Sequence, residues 1–372
     1  MFKKIKRKKQ FFFLGIVIWS VFLAGCSVVN DTSLGKKTKN EAEIIQKKLN
    51  QRIVKKPLKI GVITDAHFYG KKVNDQWEMN WRSREAMERF VEKMNNDFHP
   101  DLVVEIGDLV DGKDHNALMD WKIADRMMSK LKMPYYHTIG NHEMRSFTKK
   151  TWLELTGYKK PYYFKDIDGY RIIILDGNHL PGGKDTSPEK EYYPGALGLV
   201  QWEWLDGVLK EAVMQDKDPV VFLHQPPLRT DAKPNWELFP KGEKLHRLFD
   251  KYGVRGVFSG HIERLCDVKD GLTEYFVLQG FWKANRGLKK EYRFKDGGNF
   301  YYVTIAPDKI TVQMEYRVFG LNKDKQSDKR YHQISHWENL TLNPTEHNCL
   351  DRKRLRDDND SGLLIKNEAN NE

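Results

Sequence analysis

The 372 residues are 40% hydrophobic and 31% charged, enough apolar content to bury a large core and too much for an intrinsically disordered chain. Of the net charge of +11, +6 lies in residues 1–25 and +6 in residues 26–59, which leaves −1 for the rest. A body so close to neutral lacks the basic footprint of a dedicated duplex nucleic-acid binder.

The chain opens with six cations (Lys3, Lys4, Lys6, Arg7, Lys8, Lys9) and no acid, followed by FFFLGIVIWSVFLAG. That run is shorter than the roughly 20 residues a spanning helix needs and fits the apolar region of a secretory signal. It ends in Leu23-Ala24-Gly25-Cys26, which resembles a bacterial lipobox. The expectation is a signal peptide over residues 1–25 and lipidation at Cys26. The protein would then sit in the bacterial cell envelope as a membrane-anchored, extracytoplasmic lipoprotein, because diacylation supplies the second chain that stable anchoring requires. Residues 26–57 are polar and Lys-rich and are expected to form a flexible tether, with a helical patch near Glu41 to Leu49.

From Leu58 strand and helix patterns alternate. Met87, Phe90, Val91, Met94 and Phe98 recur at helical spacing, and Leu118, Trp121, Ala124, Met128 and Leu131 form a second apolar face. His99-Pro100 and Met133-Pro134 end these helices. YYFKDIDGYRIIIL predicts a hairpin turning at Asp168-Gly169. A Pro/Gly-rich loop over 178–198 precedes a helix near Gln201 to Val213. A second loop over 225–242 precedes a short helix bearing Leu245, Leu248, Phe249 and Tyr252. Beyond Gly260 the pattern is β, with EYFVLQ and then NFYYVTIAPDKITVQMEY turning at Asp308. The fold expected is α/β, two mixed β-sheets packed as a sandwich flanked by helices in four layers, over residues 58–320. Residues 321–372 are expected to be a C-terminal extension, largely disordered after about residue 343.

Five short blocks carry the chemistry: Asp65-Ala-His67, Gly107-Asp108-Leu-Val-Asp111, Gly140-Asn141-His142-Glu143, His224, and Gly260-His261-Ile-Glu263. Each follows an apolar, β-rich run, so Asp, Asn and His all fall where strands end, the edge at which open α/β sheets bind ligands. Hard oxygen donors mixed with imidazoles suit divalent ions that act on phosphoryl groups. There is no G-x-x-x-x-G-K-[ST] loop and no G-x-S-x-G elbow.

In this order the five blocks resemble the calcineurin-like metallophosphoesterase superfamily over roughly residues 58 to 316. The resemblance implies a site for two divalent metal ions (Mn, Fe, Mg or Zn) and a water or hydroxide between them as nucleophile. It implies Asp65 and His67 as first-metal ligands, Asp108 as the shared carboxylate, and Asn141, His224 and His261 as the second-metal set. His142 takes the place of the non-ligand histidine that stabilises phosphate charge or protonates the leaving oxygen. Asp111 and Glu143 are expected to orient the ligand imidazoles and backbone. The family's usual G-H-x-H has Glu263 in its last position here. As a ligand it would raise the pKa of the bridging water and favour Mn, Mg or Fe over zinc.

The substrate implied is a phosphate mono- or diester, read by loops bearing Arg145 and Arg286, since Arg binds phosphate bidentately. Two alternatives stand beside this. A basic loop near residue 290 suits a nuclease or nucleotide phosphodiesterase, and Glu263 suits a surface lipoprotein that keeps the fold without turnover.

Overall fold

A computed structural model describes residues 33–68, 83–112, 117–180, 183–187, 195–227, 242–262, 265–281, 299–319 and 335–341. The expected signal peptide, Cys26, Glu263 and Arg286 lie outside the described residues. The chain divides into two compact units at Arg52. In the first, α1 (Ser33–Asn50) replaces much of the expected flexible tether with helix and reaches well beyond the patch at Glu41 to Leu49. Its Lys, Glu, Gln, Ala and Leu content consists of strong helix formers. No helix among the described residues is long and apolar enough to cross a membrane.

The second unit runs β1 (Leu58–Ile63), α2 (Ser83–Lys93), β2 (Leu102–Glu105), α3 (Ala117–Met128), β3 (Tyr135–His137), α4 (Asn141–Ser146) and α5 (Lys149–Thr156). Then follow β4 (Tyr163–Ile167), β5 (Tyr170–Leu175), α6 (Leu199–Met214), β6 (Asp218–Leu223), α7 (Gly242–Lys251), β7 (Gly256–Ser259) and β8 (Cys266–Asp270). It closes with β9 (Thr273–Val277), β10 (Phe300–Ile305), β11 (Ile310–Phe319) and β12 (Ser335–Thr341).

These strands make two six-stranded mixed sheets, ordered β12-β11-β10-β1-β2-β3 and β4-β5-β6-β7-β9-β8. Within them β1, β2 and β3 are mutually parallel, as are β5, β6, β7 and β9. One core lies between the sheets, joining Ile60, Val62 and Val104 of the first to Ile172, Ile174, Phe222 and Phe258 of the second. The outer face of the first sheet packs Val103 against Met87, Phe90 and Met94 of the α2 region and Trp121, Ala124 and Met128 of α3. This is the expected sandwich flanked by helices.

Central strands covered on both faces read as continuous apolar runs, and β5 and β6 are buried at every position. Arg171 sits in that run because its guanidinium is fully met by Asp166, Glu211, Gln215 and the Val208 carbonyl of α6. Asp168 and Gly169 turn the β4–β5 hairpin at φ 45° and 85°, the left-handed pair a two-residue type I′ loop needs. A π-helical turn, Met94–Phe98, continues α2 and closes at His99, just before Pro100.

Leu118, β8 and β12 also differ from the sequence expectation, and α4 and α5 are helices that it did not include. Leu118 does not share the buried face of α3 and is 38% exposed, whereas Ala117 and Met127 lie on that face. β8 pairs antiparallel with β9 at the edge of its sheet. β12 pairs with β11 from Gln313↔Thr341 to Phe319↔Ser335, so the sheet reaches residue 341 and passes the boundary expected at residue 320.

Candidate metal centre

The described residues of all five blocks meet at the carboxyl ends of the parallel strands, where β1, β2 and β3 of one sheet face β6 and β7 of the other. The strand ends are tied to one another by backbone bonds. Asp65 N donates to Gly107 O at 3.0 Å, His67 N to Asp108 O at 2.9 Å, and Gly260 N to His224 O at 3.0 Å. Asp65, His67, Asp108 and His261 all have positive φ, at 49°, 41°, 55° and 68°. Non-glycine residues held in that region are strained, and such strain persists where the surrounding structure enforces it, typically at functional sites.

The side chains converge with Asp108 at the centre. Its Oδ2 lies 3.1 Å from His224 Nε2, 3.8 Å from His67 Nε2 and 3.9 Å from His142 Nε2. His224 Nε2 is also 3.1 Å from Asn141 Oδ1, while its Nδ1 donates to Ile106 O at 2.7 Å. That carbonyl fixes the imidazole so that Nε2 faces the centre, the usual way a ligand histidine is oriented. Two groups of donors therefore share Asp108: Asp65, His67 and Asp108 in one, and Asp108, His224 and His261 in the other, each with donor atoms within 4.8 Å of one another.

Supporting carboxylates hold this arrangement. Asp111 Oδ1 lies 3.3 Å from His67 Nδ1 and 3.4 Å from His142 Nδ1. Glu143 accepts the backbone amides of Asp108 (2.9 Å), Gly140 (2.8 Å) and Val110 (3.3 Å). Asp111 thus reaches the two imidazoles and Glu143 the backbone amides. Arg145 lies beside His142, with Nη2 2.9 Å from Nε2 and 3.1 Å from Asp111 O. His142 Nδ1 itself donates to Asp111 O at 2.8 Å.

The electrostatics fit a cation. Against the downward pull of burial, the charges of Asp108 and Asp65 raise His224 to about 10. Against the same pull, Asp111, Asp65 and Asp108 raise His67 to about 9. The field that holds protons on these rings is the field a divalent ion would meet, and ligand protons leave as a metal enters. Burial and the neighbouring His224 charge push His261 down to about 3, and its buried Nε2 has no hydrogen-bond partner among the described residues. A neutral imidazole with an orphaned nitrogen beside two buried carboxylates is a donor set that fits a divalent cation. Burial also holds His142 below its ordinary value.

Residues 58–263 match the calcineurin-like phosphoesterase family. The chain belongs to that family. Over 271 residues, 61% of this chain and 83% of the relative, it is 25% identical to the manganese-dependent ADP-ribose/CDP-alcohol diphosphatase of Arabidopsis thaliana. The human protein of the same name is 23% identical over 296 residues, 65% of this chain and 84% of the relative. Among solved structures, a dimetal phosphatase from Danio rerio is similar in fold, with a TM-score of 0.54 at 19% identity over 77% of this chain and 98% of that one. A purple acid phosphatase from yellow lupin gives 0.50 at 17% identity, over 77% and 54%. As a calcineurin-like phosphoesterase the chain is a phosphoric ester hydrolase that uses divalent metal ions.

The sequence reading passed over one group at the same rim. Asp176, His179 and Asp185 cluster beyond β5, a further run of hard donors after an apolar strand. Here Lys149 supplies the cation, its Nζ 2.6 Å from Asp176 Oδ2 and 2.5 Å from Asp185 Oδ1.

Proposed function

We propose that this chain is a binuclear hydrolase of diphosphate linkages in nucleoside-diphosphate-linked small molecules. The observation that carries the binuclear reading is Asp108, a member of both donor groups and the natural carboxylate to be shared. Asp65 and His67 would complete one position, and Asn141, His224 and His261 the other. Divalent ions held there supply Lewis acidity toward phosphoryl oxygens and acidify water. The diphosphate class is supported by the activity of the Arabidopsis thaliana and human relatives.

The chain's own groups have separable tasks in this reading. His142, oriented through Nδ1 on Asp111 O, presents Nε2 toward Asp108 and stabilises charge on the phosphoryl group or protonates the leaving oxygen. Arg145 adds a fixed positive charge beside it, suited to a second phosphoryl group. The reading as a surface protein without turnover rests on Glu263, which lies outside the described residues.

The deciding experiment is a screen of the full chain, stripped of metal and restored with Mn2+, against ADP-ribose, a CDP-alcohol, p-nitrophenyl phosphate, bis-p-nitrophenyl phosphate and single-stranded DNA. Preference for the diphosphates is expected, with loss of roughly 10²–10³ in kcat for Asp108→Asn at unchanged fold. Turnover confined to DNA and bis-p-nitrophenyl phosphate would instead establish the nuclease or phosphodiesterase alternative.

Membrane attachment through Cys26 is a separate proposal, supported by the order basic stretch, apolar run, Leu-Ala-Gly-Cys. Incorporation of labelled palmitate that Cys26→Ser abolishes is the expected result. Labelling that survives the substitution would refute it.

A further inference from the structure

The two loops that bring Asn141 and His224 together belong to different sheets, so something must set their separation. Asn178, fully buried beyond β5, touches both. Its Nδ2 donates at 2.9 Å to the carbonyl of Ile139, two residues before Asn141. Its Oδ1 accepts at 2.9 Å from Nε2 of Gln225, the residue after His224. Its own backbone is pinned in turn, Asn178 N donating to Asp176 Oδ1 at 2.8 Å, and Asp176 is held by Lys149 and clamped at both backbone groups by Gln201. The slot for the Gln225 amide is built for it: a Cβ at Gly177 would come within 2.1 Å of Gln225 Oε1.

We infer that Asn178 is a positioning residue for the metal position formed by Asp108, Asn141, His224 and His261, acting through Ile139 and Gln225 to fix the distance between two ligand loops. The inference rests on the metal-centre reading. Its chemistry is specific to a primary amide, which offers an NH2 donor and a carbonyl acceptor on a short, buried stem, the NH2 also reaching Asp176 Oδ1 at 3.3 Å. Aspartate in the same place still accepts from Gln225 but has no donor for Ile139 O, and it sets a carboxylate oxygen against a carbonyl. Alanine removes both bonds and leaves two buried polar partners unsatisfied. Partners that orient ligands in this way are typically worth about 10–100-fold in metal affinity.

The test is Mn2+ titration of the full chain after chelator stripping, free Mn2+ being counted by its paramagnetic resonance signal, so that no substrate is involved. Wild type is expected to bind two ions. Asn178→Ala and Asn178→Asp are expected to keep one and to weaken the other about tenfold or more, with KM for a diphosphate at saturating Mn2+ unchanged. Gln225→Ala breaks the same relay from its other end and serves if the Asn178 variants do not fold. Tyr170→Phe, which loses buried hydrogen bonds to Lys56 O and Ile305 O, should cost stability without moving Mn2+ affinity. Wild-type Mn2+ affinity in Asn178→Asp and Gln225→Ala, or equal loss in Tyr170→Phe, overturns the inference, as does a wild-type chain that binds no Mn2+. A chain that shows the Asn178 dependence yet cleaves no diphosphate refutes only the proposed substrate.

Discussion

The backbone amide of His261 donates to both carboxylate oxygens of Asp65, at 3.1 and 3.0 Å, across a sequence separation of 196 residues. One loop of the second sheet thereby holds a candidate ligand carried by the first. Thr64 Oγ1 reinforces the same carboxylate at 2.6 Å. The close approach depends on Gly260, where a Cβ would stand 2.0 Å from Thr64 Oγ1 and 2.2 Å from Asp65 Oδ2. Gly260→Ala must therefore displace Asp65. It should cost about 1–3 kcal/mol in stability, the usual range for overpacking, and about 10–100-fold in affinity for the ion beside Asp65 and His67. Chemical denaturation and Mn2+ titration check the two parts; unchanged affinity would show that Asp65 is not a ligand.

Asp111 sits where it can serve two imidazoles at once, 3.3 Å from His67 Nδ1 and 3.4 Å from His142 Nδ1. Its carboxyl is held well below the usual range, the His142 and His67 bonds overcoming burial. Asp111→Asn keeps the shape and removes the charge. Activity is expected to fall about 10–100-fold, with thermal stability close to wild type. A variant as active as wild type would make the Asp111 contacts incidental.

His142 and His224 both lie within 4 Å of Asp108 Oδ2, and His224 Nε2 also lies 3.1 Å from Asn141 Oδ1. Their substitutions should separate. His142→Asn should lower kcat by roughly 10²–10⁴, the range for a lost general acid, while the number of Mn2+ ions bound stays the same. His224→Asn should reduce that number. Loss of an ion in His142→Asn would move it into the ligand set.

The centre was legible in the sequence because its donors are polar, metal-binding residue types placed immediately after apolar strands, and strand ends of one parallel set share one edge. The core strands were legible for the same reason, being apolar throughout. β8 and β12 were not: CDVKD and SHWENLT lie at sheet edges, where pairing on one side is enough and a continuous apolar run is unnecessary. Leu118 misled because a hydrophobic residue at a permissive helical position need not face inward. Asn178 and Gln225 carried no signal of their own, since their role is one contact between loops 47 residues apart. The contacts of buried His137 with buried Glu105 and half-buried Asp125 are likewise a product of tertiary packing.

Away from the centre, Asp267 on β8 is 2% exposed, and its Oδ1 has no hydrogen-bond partner among the described residues. Burial, with Glu274 beside it, pushes its carboxyl up to about 7 from an ordinary value of 3.8. The folded chain thus binds this proton more tightly than the unfolded one, and linkage fixes the sign. The contribution is fully present below pH 3.8, fades as pH rises, and is lost above about 7, where a buried charge must be tolerated. Asp267→Asn removes the charge and keeps the shape. Its melting temperature should exceed that of wild type by a few degrees at pH 8, with the gap closing steadily as the pH falls toward 4. Melting curves of the two chains across that range make the check, and a gap independent of pH would show that Asp267 does not titrate as its burial demands.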